Sequence, residues 1–366
     1  MTEPKIRIGV VGVGFGAVVH VPAFQSEGLE VVAVCARREE KARDAAEQFA
    51  IPSAFTDYRE MLGMDGLDAV AIATPVSTHH PITMDALEAG KHVLCEKPLA
   101  INAIQAREMW EKAEVTGLTA MVAHEFRFAS GRMRVKELID EGYIGTLHMA
   151  LMSLAVGPRN GFRARPWSES DDAGKGGGFL GALGSHYIDC LRHWFGEVSS
   201  VSGRLNTQFQ DRTYADLEEF VEATSDDTYN FTLEFAQGGW ANMIGTSAAA
   251  FGSGARVEIY GRDGTLATPQ PGAGFNPPPL GTILGAKPGD KGLSELPIPA
   301  RLEPFSDDRD GRMMPFRLLV REFIRGIREG VSPAPNLLDG LRCQEIMAAI
   351  RESSFTGSVV RFDEQQ

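Results

Sequence analysis

Through the first third of the chain, short apolar runs alternate with amphipathic segments. Residues 6–11, 31–35, 69–73, 92–95 and 119–123 are the runs, rich in Val, Ile and Ala and short enough to be strands buried on both faces. Between them, Ala42, Ala45, Ala46 and Phe49 fall on one face of a helix over 39–49. Two further helices, one of them carrying Met109, Trp110 and Ala113, are stopped by Gly90 and Gly117. This alternation predicts a parallel sheet with helices on both sides.

Past residue 124 the period changes. A helix with Val135, Leu138 and Ile139 inward ends at Gly142. Tyr229, Phe231, Leu233 and Phe235 then alternate with Asn230, Thr232, Glu234 and Ala236, the period of a strand with one buried face. Gln237-Gly238-Gly239 turns the chain into a strand over 240–246, and Arg262-Asp263-Gly264 closes a hairpin between 256–260 and 265–268. The Pro- and Gly-rich stretch 269–299 is expected to be a long loop or arm. Two amphipathic helices follow, striped by Leu318, Leu319, Phe323 and Ile327 and by Leu338, Leu341, Ile346 and Ile350. The expectation is an α/β protein: a doubly wound parallel sheet over 1–124, then an α+β domain over 125–366 with a large, mostly antiparallel open sheet. The last helix is free to pack back on the first domain.

Composition narrows the class of function. The 366 residues are 43% hydrophobic and 23% charged, which excludes a largely disordered chain. Lys and Arg number 36 against 49 Asp and Glu, a net charge of -13, so a phosphate backbone is repelled and nucleic acid is not an expected partner. No run approaches the roughly 18 apolar residues of a membrane span, and the first residues lack a secretory pattern. Cys35, Cys95, Cys190 and Cys343 are far apart and form no ligand pair. They predict reduced thiols in a cytoplasmic protein, and no carboxylate or thiol cluster at ligand spacing predicts a catalytic metal.

The first run passes directly into Gly12-Val13-Gly14-Phe15-Gly16-Ala17. In this G-x-G-x-x-A pattern Gly12 makes the tight turn, Gly14 lets amides approach a pyrophosphate, and Ala17 allows close helix-strand packing. These residues, with Phe15 and Gly16, are the candidate dinucleotide site. At the end of the second run an acid would bind a ribose 2′-hydroxyl, but the sequence has Ala36 followed by Arg37 and Arg38. Arginines at a helix start oppose its dipole, so a 2′-phosphate is the expected counter-charge and NADP is favoured over NAD.

Cys95-Glu96-Lys97-Pro98-Leu99, together with that glycine turn, Ala73-Thr74-Pro75, His79, Ala89-Gly90-Lys91-His92-Val93 and Gly184-Ser185-His186-Tyr187-Ile188-Asp189, closely resembles the family of glucose-fructose oxidoreductase, inositol dehydrogenase and MocA. The resemblance runs over nearly the whole chain. It implies a Rossmann domain, a C-terminal domain whose open sheet pairs with another copy in a homodimer or homotetramer, and oxidation or reduction of a carbinol or carbonyl carbon in a sugar, inositol or glycoside. It places Lys97 beside nicotinamide and substrate, Glu96, Thr74, Pro75 and His79 at the cofactor, and His186 as acid/base. The chemistry agrees: a departing hydride needs a base near the working pH and a cation for the developing alkoxide. Members often carry an aspartate four residues before this histidine. Here the position is Ala182, which puts the usual polyol substrate and mechanism in question.

Weaker substrate candidates are His124 and Arg127 at the domain junction, Arg163, Arg165 and Trp167, which could stack on a sugar or hold a carboxylate, and Asp189 three residues after His186. Two other functions compete with a dehydrogenase: glycoside cleavage or elimination through transient oxidation, and a non-catalytic cofactor-dependent sensor.

Overall fold

The computed structural model describes residues 4–157, 167–213, 220–271 and 282–362. The chain forms two compact units. Residues 1–125 and 307–344 make the first, and 126–306 and 345–366 the second. A single cut at residue 124 therefore does not separate them.

The first unit is built on β1 (Arg7–Val11), β2 (Glu30–Cys35), β3 (Ser53–Phe55), β4 (Ala69–Ile72), β5 (His92–Cys95) and β6 (Ala120–Val122). All pairs are parallel and the order is β3-β2-β1-β4-β5-β6. All five sequence-predicted runs are strands, and β4 and β6 are buried along their whole length. Helices α1 (Val21–Ser26), α2 (Glu39–Gln48), α3 (Tyr58–Leu62), α4 (His79–Glu88) and α5 (Ala103–Thr116) connect them. In α5 the Asn102 carboxamide accepts from the Gln105 amide at 2.9 Å, and Gly117 ends the helix at φ +65°. Val70, Ile72, Val93, Cys95, Val122, Ala106 and Met109 belong to the apolar core between these layers.

In the second unit α6 (Ser130–Asp140), β7 (Leu147–Ala155), α7 (Ser185–Phe195), β8 (Val198–Asn206), β9 (Asp211–Thr213), β10 (Phe220–Glu222), β11 (Thr228–Phe235), β12 (Trp240–Thr246), β13 (Gly254–Gly261), β14 (Thr265–Pro271), β15 (Ile283–Ala286), β16 (Ser294–Leu296) and β17 (Val360–Arg361) follow one another. The large sheet has the order β16-β15-β14-β13-β7-β12-β11-β8-β17, parallel only between β7 and β12. Both sequence-predicted hairpins form: Phe235 receives from Gly238 and donates to Gly239, and Gly261 donates to Gly264. Tyr229, Phe231, Leu233 and Phe235 are buried, while Trp240 and Ile244 stand exposed on the other face.

The expected long loop over 269–299 is corrected in part. Its start completes β14, and β15 and β16 extend the sheet from its far end; residues 272–281 lie outside the described set. Pro and Gly flanks hid two short strands.

The chain then returns to the first unit through α8 (Met313–Glu329), and α9 (Leu337–Thr356) starts in the first unit and ends in the second. The link between these helices lies along β6. Thr119 Oγ1 donates to Val331 O, Ala120 N to Ser332 Oγ and Val122 N to Pro335 O, all at 3.0–3.1 Å. The polar edge of the parallel sheet is thereby occupied by the chain's own 331–336 segment.

Candidate active site

Gly12 leaves β1 at φ +101°, its amide donating to Cys35 O at 2.9 Å. A Cβ here would lie 2.3 Å from the carbonyl oxygen of Ala73, so glycine alone lets this turn pass the end of β4. A Cβ on Gly14 would meet nothing within 4 Å. The turn's amides thus border open space at the carboxyl ends of β1 and β4, where the strand order reverses and doubly wound sheets take their ligands. This geometry fits a dinucleotide pyrophosphate. Gly16 opens a π-helical turn, Gly16–His20, ahead of α1, and packs against Val10 and Ala73. Ala17 is half-buried behind it.

Arg37 and Arg38 are exposed at the entrance to α2, whose first turn holds Glu39 and Glu40. On the other side of the reversal, Thr74 and Pro75 follow β4. His79 is buried with Nε2 2.9 Å from Thr74 O and Nδ1 3.0 Å from Pro98 O, a strut between the two loops. Burial pushes its imidazole pKa down, against the two carbonyls.

Glu96 and Lys97 leave the end of β5, with the Glu96 amide donating to Ile72 O at 2.9 Å. The buried Glu96 carboxylate lies 2.8 Å from His20 Nε2 and accepts from the Lys97 amide at 3.2 Å. Burial alone would raise its pKa, but the hydrogen bond and charge of His20 and the charge of Lys97 hold it below the usual carboxylate range. His20 is enclosed by the rings of Phe15, Phe24 and Phe316 at 5.5, 5.7 and 4.4 Å. Arg312, gripped by Asp310 at 2.7 and 2.8 Å, stands 4.7 Å over Phe15.

In the second unit His186 is buried on α7, its ring stacked on Phe126 at 3.8 Å. Arg132 covers the other members of this aromatic group, 4.4 Å from Phe126 and 5.5 Å from Tyr187. Arg127 and Asp189, both singled out as substrate contacts, form a buried bidentate pair at 2.6 Å, so their charges are committed to each other. Ala182 lies on a second π-helical turn, Leu180–Gly184, and is exposed. His124 is buried and Trp167 is half-buried. Arg163 and Arg165 lie outside the described residues.

Three groups of this site carried no role in the sequence: His20 as partner of Glu96, Glu125, and Arg312. Glu125 adjoins His124 at the end of β6 and is 3% exposed. The available signal was its position directly after a buried strand, where a charged residue is rare without a task.

Residues 6–124 match the model of the oxidoreductase family with an NAD-binding Rossmann fold, and residues 136–362 match that family's C-terminal alpha/beta domain. The chain belongs to the Gfo/Idh/MocA oxidoreductase family. It is an NAD(P)-dependent oxidoreductase. An uncharacterized oxidoreductase of Synechocystis sp. is 30% identical over 96% of this chain and 94% of its own length. Levoglucosan dehydrogenase of Pseudarthrobacter phenanthrenivorans is 27% identical, with 96% of each chain covered. The crystal structure of an NAD binding oxidoreductase from Klebsiella pneumoniae superposes with a TM-score of 0.87 at 26% identity, over 99% of this chain and 100% of that one.

Proposed function

We propose that this family member transfers hydride between nicotinamide and a carbinol or carbonyl carbon of a sugar, inositol or glycoside. The observation that carries the reading is Lys97 at the carboxyl end of β5, its amide held by a Glu96 carboxylate that is itself fixed by His20. Relatives named for levoglucosan and myo-inositol support the substrate class. The bound nicotinamide supplies the hydride acceptor. The remaining work falls to the chain: Lys97 offsets the charge of the developing alkoxide and takes its proton, and His186 is a second acid/base group. Glu96, Thr74, Pro75 and His79 line the cofactor.

Purified protein is expected to change nicotinamide absorbance with at least one member of a panel of sugars, inositols and glycosides, and Lys97→Ala to abolish the change. No turnover across the panel, or an active Lys97→Ala, rejects the proposal.

The reading extends to NADP over NAD, since Arg37 and Arg38 are exposed where a 2′-phosphate would lie. Replacing both with Ala should lower the NADP/NAD ratio of kcat/KM by about tenfold or more; an unchanged ratio removes the preference. Exposed Trp240 and Ile244 support pairing of the outer sheet face with a second copy, tested by light scattering of Trp240→Glu against wild type. The four cysteines are buried free thiols, which suits a reducing cytoplasm. Among the described residues no helix is long and apolar enough to cross a membrane.

Ala182 favours a second reading, glycoside cleavage through transient oxidation. Cleavage without net change in nicotinamide absorbance would distinguish it from the first.

A further inference from the structure

Three arginines are buried among the described residues, all in the second unit. Arg127 is paired with Asp189, and Arg192 with Glu197 at 2.5 Å. Arg132, on α6, is 5% exposed, yet no carboxylate pairs with it among the described residues, and its buried Nη2 has no hydrogen-bond partner there. Its guanidinium lies 4.4 Å over Phe126 and 5.5 Å from the ring of Tyr187, whose phenol accepts from it. Burial pushes that phenol's pKa up, so the acceptor is neutral. Ring faces and one phenol recover only part of what a guanidinium loses on leaving water. The helix itself does not require the charge. Position 132 lies one turn ahead of Val135 on the inward face of α6, where an apolar side chain would be buried without this penalty. The surroundings suggest its use. His186 is stacked on one face of Phe126, at 3.8 Å with the rings 10° apart, and the guanidinium covers the other. Arg132 is thus one aromatic ring away from His186, a separation that a single hexose spans.

We propose that Arg132 anchors a carboxylate carried by the substrate, which makes the substrate a sugar acid of the aldonic or uronic kind. This rests on the function proposed above, with His186 at the reacting carbon, and adds which member of that substrate class is taken. The planar fork of a guanidinium matches a carboxylate through two parallel N–H···O bonds, and the apolar walls of Phe126 and Tyr187 strengthen such bonds by excluding water. A lone guanidinium balances one negative charge, which suits a carboxylate better than a phosphate ester close to a dianion.

Calorimetry on the NADH-loaded protein measures the binding of matched pairs: gluconate against glucitol, glucuronate against glucose, and a glucose monophosphate against glucose. At least one carboxylate is expected to bind about tenfold or more tightly than its uncharged partner, and both Arg132→Met and Arg132→Gln to abolish that preference. Thermal unfolding without ligand supplies a second reading. A cation kept for a ligand does not stabilise the empty protein, so at least one of the two neutral variants should melt at the wild-type temperature or above it. Equal binding of acid and neutral partners by wild type, a preference that survives in either neutral variant, or a stronger preference for the phosphate ester overturns the proposal. So does melting of both variants several degrees below wild type, which would mean that the chain itself supplies the anion. Acid binding that depends on Arg132, without turnover of any sugar or sugar acid, would instead reject the function while leaving the anchor standing.

Discussion

Replacing His20 with Leu removes the partner of a buried carboxylate while keeping the apolar nest of Phe15, Phe24 and Phe316 filled. Breaking a buried ion pair from one side generally costs about 3 to 5 kcal/mol. Here the cost has a ceiling, because Glu96 can take a proton instead of remaining an isolated anion. From the ordinary value of 4.5 to pH 7 that protonation costs about 3.4 kcal/mol at 1.36 kcal/mol per unit. With the lost stabilisation of the wild-type anion added, the expected loss at pH 7 is about 3 to 5 kcal/mol. The sign with pH is fixed as well. In wild type the folded pKa of Glu96 is depressed, so its contribution is present above the ordinary carboxylate value and is lost only as pH falls through the depressed one. In the variant the folded pKa is raised, so stability is lost as pH rises through and beyond 4.5. The gap between the proteins should widen from pH 5 to pH 8, by at most about 1.4 kcal/mol per unit, and should be smallest at pH 5. Urea unfolding followed by circular dichroism at pH 5, 6, 7 and 8 measures it, with His20→Leu/Glu96→Gln as the control that flattens the dependence. A gap that is the same at pH 5 and pH 8 would falsify the account of Glu96 as an anion stabilised by His20.

Gly12→Ala should destabilise the first unit by about 3 kcal/mol or more and abolish dinucleotide binding by calorimetry, because φ +101° and the 2.3 Å approach to Ala73 O both oppose a Cβ. Arg127→Met should cost about 3 to 5 kcal/mol in urea unfolding, and Arg127→Met/Asp189→Leu should recover most of it; a double variant as unstable as the single one would mean that the unpaired aspartate is not the cause. Asp226, raised to about 6 by burial while accepting from the Leu180 amide at 2.7 Å, carries stability that is lost as pH rises from 3.8 through 6. Asp226→Asn keeps an acceptor and cannot ionise, so its Tm should gain on wild type between pH 4 and pH 7, and a constant difference would reject the assignment.

The parallel sheet was legible because strands buried on both faces must be apolar at every position, as in β4 and β6. The Gly12 turn was legible for a related reason: its backbone tolerates one residue type. In the second sheet, β7 and β8 were not singled out. Leu147, Met149 and Leu151 put apolar side chains on the outward face of β7, which blurs the period of two, and Ser, Gly and Asn dilute β8. The pairing of Arg127 with Asp189 spans 62 positions, and Arg312 reaches Phe15 from the other end of the chain. Such contacts leave no local periodicity, so both arginines could be read only as isolated charges. The π-helical form of the turn that carries Ala182, Leu180–Gly184, leaves no mark in the residue pattern.

The occupied edge of β6 also has a meaning for biosynthesis. The residues that cover it, 331–336, leave the ribosome about 210 residues after β6 itself, a delay of roughly 10 to 40 s at ~5 to 20 residues per second. Through that interval the nascent first unit presents an open strand edge, the feature that templates mispairing with other chains. The same segment that completes the cofactor-binding sheet thus times its completion.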